Sequence, residues 1–308
     1  MVSSTRAFDS DSAAPLTSAP RQPSLGARAL REMRRKPLGA LGGLLIVALV
    51  ATALLAPVLA PYDPIAMKSA DRLKPPSASH LLGTDDFGRD ILSRVIFGAR
   101  ISMMLGLGAV AISTILGVII GILSGYYGGR IDTVLQRCID TMMAFPGLVV
   151  LLTIMAMLGQ GLGNVVLALG IGGTAGNARI IRSAVLAVRE NQYVEVALAT
   201  GCRDWRIIIR HILPNIAAPI MVVATLGLGV AILAESSLSF LGFGVPPPTP
   251  SWGAMLSGSG RTYMLQAPWM AVFPGIAISL AVFGFNMLGD ALRDFLDPKL
   301  RGGPQGRA

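Results

Sequence analysis

Several long stretches of this chain carry no charge, and that constrains the fold more than any other feature. Leu38–Ala60 and Ile101–Leu123 are uninterrupted examples. At 1.5 Å per residue each gives a helix of roughly 34 Å, enough to cross a hydrocarbon core of about 30 Å. Only 14% of residues are charged and 53% are hydrophobic, against about 25% charged in soluble domains. Mean hydropathy is +0.63. With no water inside a bilayer, backbone groups must be satisfied within each segment, so spans of this kind are helices.

The same reading along the chain gives six spans. They are Leu38–Ala60, Ile101–Leu123, about Val134–Leu158, about Leu162–Ile181, about Asn215–Leu233 with an extension to Phe240, and about Ala267–Leu288. Arg137 and Asp140 fall in the first two turns of the third. The uncharged part of the fourth, Leu162–Ala178, is short and holds five glycines. Small residues let helix backbones approach closely, so it is expected inside the bundle. Six spans put both ends on one side. Of the 26 Lys and Arg, 19 lie in the tails and the second and fourth loops, and 7 in the others. The excess of positive charge predicts that both ends face the cytoplasm.

The expected organisation is an all-α integral membrane protein. Residues 1–36 form a disordered, basic cytoplasmic tail, and residues 37–97 the first span and an external loop. Residues 98–290 form a five-helix core with a cytoplasmic loop at 189–214, and residues 291–308 a cytoplasmic tail. Arg28, Arg31, Arg34, Arg35 and Lys36 precede the first span, where they fix orientation and can meet anionic lipid. The first apolar run begins too late and runs too long for a cleavable signal peptide. The net charge of +9 does not indicate nucleic acid, because the positives flank apolar runs and lack interleaved aromatics. Cys138 and Cys202 imply no disulfide framework and read as packing residues.

Residues 189–214 are charged and amphipathic, with spans on both sides. Tyr193, Val194, Ala197, Leu198 and Gly201 recur at three- and four-residue steps and predict one apolar helix face. Gly201 ends or bends that helix. Asp204 starts a second short helix through Trp205, Ile208 and Ile209, and Pro214 closes it. Two angled helices outside the bilayer suit a soluble groove that takes apolar anchors. The competing reading is a connector that folds back on its own bundle.

The stretch E-V-A-L-A-T-G, followed by eleven residues and L-P, resembles the EAA loop of ATP-binding-cassette importer permeases. Glu195, Ala197, Gly201, Leu213 and Pro214 match that pattern, while Val196 and His211 depart from it. The likeness extends along the chain to the dipeptide, oligopeptide and nickel branch. It includes H-L-L-G-T-D-D-F-G-R-D-I-L-S-R-V-I-F-G-A-R-I-S from His80 to Ser102, then G-Y-Y-G-G-R-I-D and D-T-M-M-A-F-P. It continues through I-L-A-E-S-S-L-S-F-L-G-F-G, P-S-W-G-A-M-L and N-M-L-G-D-A-L-R-D-F-L-D-P. The ordered set covers roughly residues 30–300.

This resemblance implies a type I importer permease in the inner membrane of a bacterium. Two ATP-binding subunits would hold ATP and magnesium, a homologous permease would complete the pore, and an external binding protein would deliver short peptides. Nickel, haem and glutathione are alternative cargoes in such systems. Tyr193, Glu195, Ala197, Gly201, Arg203, Asp204, Trp205, Leu213 and Pro214 would form the coupling loop. The chain has no G-x-x-x-x-G-K-[ST] phosphate cradle, so no nucleotide or other cofactor is expected on it. No catalytic residue is expected either. An intramembrane protease would need paired acids, or a nucleophile with a base, inside spans. A scaffold without transport is the other alternative.

Further sites remain to be placed. His80, Asp85, Asp86 and Asp90 offer donors for a hard or borderline cation. The simpler expectation is a loop pinned by Asp–Arg pairs, such as Asp90 with Arg89, Arg94 or Arg100, and no metal. Glu235, late in the fifth span, is a candidate for transport, for pairing with Arg261, or for capping a neighbouring helix. Asp140 reads similarly at the inner interface. Met142, Met143, Met155 and Met157 are candidates for a pliable substrate path. Loop 241–266, with Trp252 and three successive prolines, is either a docking face for the binding protein or a rigid cap.

Overall fold

The computed structural model describes residues 37–296. The basic stretch 28–36, the N-terminal tail before it and residues 297–308 lie outside these. The described residues are helical, with no strand among them beyond one isolated bridge between Thr84 and Asp90.

The first span is α1, Pro37–Leu54, followed by a single short turn, α2, Ala56–Leu59, with Pro57 in its first turn. Helix α3, Ile91–Tyr127, is much longer than the uncharged run within it, and its start falls inside the expected 37–97 segment. Two things move that start to Ile91. Asp90 caps the helix, its Oδ2 accepting from Ser93 N at 2.8 Å. Arg94 is drawn inward because its Nη1 donates to the Pro64 carbonyl at 2.9 Å.

The expected third span is two helices, α4 (Gly129–Met143) and α5 (Gly147–Leu158), meeting at 93°. Pro146 causes the break. It lacks an N–H and disfavours helical geometry at Phe145 before it. Helix α6, Leu162–Arg189, runs past Arg179 and Arg182 without interruption. After the 189–214 segment come α10 (Ala217–Phe240) and, last, α13 (Trp269–Leu296). Residues 291–296, expected in the tail, therefore belong to the final helix. Among the described residues four helices are long and apolar enough to cross a membrane: α1, α3, α10 and α13. The bent α4–α5 pair would make five. Asn164, Asn177, Arg179 and Arg182, with the five glycines of Leu162–Ala178, make α6 less apolar than these.

The longest helix contact is between α3 and α6. Glycines make it possible, chiefly those of α3. A Cβ on Gly117 would sit 2.7 Å from Asn177 Cβ, one on Gly121 2.8 Å from Ile181 Cβ, and one on Gly125 2.9 Å from Val185 Cβ. This four-residue ladder brings the two backbones together. On the α6 side, Gly170 has the same role against Ile112, where a Cβ would stand at 2.7 Å.

At the N-terminal end of α3, residues 61–90 fold as a compact loop tied to the late part of the chain. Trp269 Nε1 donates to the Thr84 carbonyl at 3.1 Å, and Ser259 Oγ to Asp86 Oδ2 at 2.7 Å. Arg–carboxylate pairing does pin the loop, but through Asp85. Its Oδ2 lies 2.6 Å from Arg89 Nε and 3.7 Å from Arg94 Nε. Asp90 is committed to its cap and to His80, whose Nδ1 lies 2.9 Å from Asp90 Oδ1. Among the described residues no group of three His, Cys, Asp or Glu side chains is placed to hold a metal ion. On the rim of the loop a 2.6 Å hydrogen bond from Lys74 holds the Asp71 carboxyl below the ordinary carboxylate range.

Candidate functional site

The segment between α6 and α10 folds as two short helices at an angle. Helix α7 is Gln192–Ala199 and helix α8 is Asp204–Ile207. Between them Gly201 has φ +74°. Its N–H donates to the Leu198 carbonyl at 3.0 Å, and Cys202 N donates to the Ala197 carbonyl at 3.0 Å. That pair of bonds is the Schellman termination, which needs a left-handed residue. After α8 the chain winds as a π-helix over Ile208–Ile212, then as α9, Leu213–Asn215, with Pro214 in its first turn.

The segment has two faces, one packed on the bundle and one exposed. Val194, Ala197, Ile207 and Ile212 are buried against Ile122, Tyr126, Ile181 and Val185 of α3 and α6. The loop does fold back on its bundle. Ala197 and Val194, expected on a ridge for a partner, are instead the seat. A short helix gains more by burying its small apolar side on an existing core than by leaving it in water. Tyr193, Glu195, Val196, Leu198, Gly201, Arg203, Trp205, Ile209, Leu213 and Pro214 remain exposed. The outward ridge is therefore Tyr193, Val196, Leu198, Trp205 and Ile209, with Trp205, its largest side chain, 60% exposed. Trp205 and Ile209 were expected on the second short helix, whereas Val196 had given no sign of this, since a face is assigned by periodicity only once its partner is known.

Polar contacts fix the seat. Tyr126 Oη donates to Asp204 Oδ1 at 2.8 Å and ties α8 to the end of α3. Arg182 grips Asp132 through Nε and Nη2 at 2.7 and 2.6 Å and ties α6 to α4. Arg179 reaches Asp140 at 2.6 Å, so Asp140 is a helix-to-helix link.

The conformation at Gly201 gives a direct prediction. No atom lies within 4 Å of a Cβ built there, so a side chain has room but must adopt left-handed geometry. Gly201→Val is expected to cost about 1–3 kcal/mol locally, lowering uptake and the recovery of ATP-binding partners on co-purification. Gly201→Asn, which tolerates that geometry, is expected to stay near wild type. Equal behaviour of the two would refute this account of the turn.

A cavity of about 1160 Å³ lies among α3, α4, α5, α6, α10 and α13. Met142 and Met143 line it, together with Val110, Asn177, Val222 and Arg293. Met155 is fully buried in the core and Met157 is exposed, and neither lines it. Glu235 lies outside it as well. Its Oε1 accepts from Ser239 Oγ at 2.7 Å and from Ser251 Oγ at 3.0 Å. Ser251 caps the short helix α11, Trp252–Leu256, which the single turn α12, Ser259–Thr262, follows. Glu235 thus supports a neighbouring helix start, while Arg261 stacks over Phe240. Trp252 is buried, with Nε1 donating to the Val95 carbonyl at 2.9 Å and its ring against Gly98. It fastens a cap to α3 and does not offer itself to a docking protein.

An all-helical bundle with a broad internal cavity, and a split helical segment seated at one end, defines a membrane translocation subunit. The family described as binding-protein-dependent transport system inner membrane component matches residues 117–302, and the N-terminal membrane domain of oligopeptide transport permease C matches residues 24–76. The chain belongs to the former family. It is 44% identical over 273 residues to the dipeptide transport system permease protein DppC of Alkalihalophilus pseudofirmus, covering 89% of this chain and 90% of that one. It is 42% identical over 272 residues to the glutathione transport system permease protein GsiD of Pectobacterium atrosepticum, covering 88% and 90%. A chain of the MetNI methionine ABC transporter in inward-facing conformations shares the fold, with a TM-score of 0.56 and 15% identity over 67% of this chain and 98% of that one.

Proposed function

We propose that this chain is one of two homologous permease subunits of an ATP-driven importer of short peptides. The observation that carries the proposal is the two-faced segment at 189–214, one side locked to α3 and α6 and the other a bare ridge around Trp205. Such a ridge fits a groove on an ATP-binding subunit. Two of those subunits would hold ATP and magnesium and push on the segment. An external binding protein would load cargo at the opposite end, and lipid would cover the remaining apolar faces. The protein would span the cytoplasmic membrane of a bacterium six times, with α6 as the remaining crossing and both ends inside. The similarity to a dipeptide permease supports peptide cargo. The similarity to a glutathione permease favours a second reading, in which the cargo is that peptide-like thiol.

The test is purification of the complex with its partners and reconstitution into vesicles. Labelled dipeptides, tripeptides, glutathione, nickel and haem are then offered with binding protein and ATP. ATP-dependent uptake of di- or tripeptides is expected. Uptake of nickel or haem alone would overturn the peptide assignment, and no ATP-dependent uptake of any of them would overturn the importer.

A further inference from the structure

We propose that a second, smaller cavity is a socket for a carboxylate side chain of the external binding protein. This rests on the importer reading above. The cavity, about 260 Å³, lies between Asp85–Arg94 and residues 247–259, with Met67 and Met270 closing it. It stands at the opposite end of α3 from the coupling segment.

Its chemistry comes from two buried guanidinium groups. Arg89 is 8% exposed and Arg94 6%, and both line the cavity. Arg89 spends Nε on Asp85 at 2.6 Å and lies over the Phe87 ring, 4.7 Å from its centroid. Arg94 spends Nη1 on the Pro64 carbonyl at 2.9 Å. Among the described residues no acceptor meets either terminal nitrogen of Arg89, or Nη2 of Arg94. These three nitrogens are not among the buried atoms that lack a partner, so they reach solvent and can take an acceptor that enters. Their planar fork matches a carboxylate, which takes two parallel N–H bonds.

Cavity residues and their partners leave few acceptors inside to compete. Asp85 is fully engaged, its Oδ1 accepting from Phe87 N and Arg89 N at 2.9 Å each. Asp86 has Oδ2 bonded by Ser259, while its Oδ1 is buried without a partner and closed off from anything that enters. The two arginines and two aspartates balance in number. In hydrogen bonding they do not, since only Asp85 touches the guanidinium groups. An entering carboxylate would complete both forks.

The occupant follows from position. This cavity shares no lining residue with the large one, so it lies off the path offered to cargo. Its rim includes Met67, Phe87, Pro247 and Pro248, all exposed. A water occupies about 30 Å³, so the space admits a carboxylate with its methylene stem. The family to which the chain belongs is described as binding-protein-dependent, and an acidic side chain on such a protein meets these requirements.

The experiment uses the reconstituted complex and the binding protein that supports its uptake. The readout is the binding-protein concentration that half-saturates stimulated ATP hydrolysis, normalised to assembled complex. Thr249→Glu places a carboxylate of the chain's own at the socket wall and is expected to raise that concentration at least about tenfold. Thr249→Gln, of equal size and no charge, is expected to stay within about threefold. Arg89→Lys keeps the charge, loses the fork, and is also expected to shift by about tenfold or more. Equal effects of the Glu and Gln variants, or none from Glu, would overturn the proposal. So would a shift confined to the cargo concentration needed, which would give the cavity to cargo. If wild-type complex is not stimulated by any binding protein, the importer reading fails first and the socket falls with it.

Discussion

Trp205→Ala is expected to weaken attachment of the ATP-binding subunit by about 2–4 kcal/mol, roughly 30- to 1000-fold in Kd. Trp205 is 60% exposed and stands outside the core that seats the segment. Its removal should therefore change the stability of the permease by no more than about 0.5 kcal/mol. Aromatic anchors at the centre of an interface carry a disproportionate share of binding, and Tyr193, Val196, Leu198 and Ile209 surround this one. Titration of the purified ATP-binding subunit onto solubilised permease measures the loss, and thermal melting of the permease alone is the control. Unchanged affinity would remove the ridge from the coupling interface. A fall in melting temperature of the same size would make Trp205 a structural residue.

Trp252→Ala is expected to do the reverse. Trp252 is buried between the start of α3 and the cap, with its Nε1 bonded to the Val95 carbonyl at 2.9 Å. Gly98 is shaped to it, since a Cβ there would stand 2.7 Å from Trp252 Cδ1. Truncating such a side chain costs about 3–5 kcal/mol of stability, and Trp252→Phe, which keeps a ring and loses one hydrogen bond, about 1–2 kcal/mol. Melting in detergent should show a large drop for Ala and a small one for Phe. Affinity for the ATP-binding subunit should hold at temperatures where the fold is intact. An Ala variant as stable as wild type would mean the cap is not fastened by this ring.

The two tryptophans show what was legible in the sequence and what was not. Apolar runs gave the helices, because their lengths match a bilayer and nothing else suits them. Gly201 gave the break in the 189–214 segment, because few residues other than glycine stop a helix in this way. The facing of the segment was not legible. Val194 and Ala197 are as apolar as Val196 and Leu198, and only the neighbouring ends of α3 and α6 decide which pair is covered. Trp252 in its proline-rich loop fitted either a docking face or a rigid cap, and the Val95 and Gly98 partners that make it a cap lie far away in sequence. The bend at Pro146 was written in the chain, but the charge-free run across it read as one span. Glu235 illustrates the same limit. Its position left transport, pairing with Arg261 and capping a neighbouring helix open, and only its partners, Ser239 in its own next turn and Ser251 at a distant cap, single out the last.

Helix α3 has a mechanical consequence. It is continuous over Ile91–Tyr127, contains no proline, and measures about 55 Å end to end. One tip holds the Trp252 cap through Val95, and the other holds α8 through Tyr126 and Asp204. Interlocked with α6 from Gly108 to Gly125, it is built as a stiff rod that would pivot between its tips. A tilt imposed at one tip swings the other the opposite way, so nucleotide-driven motion inside would reshape the outer mouth without any relay of side chains between them.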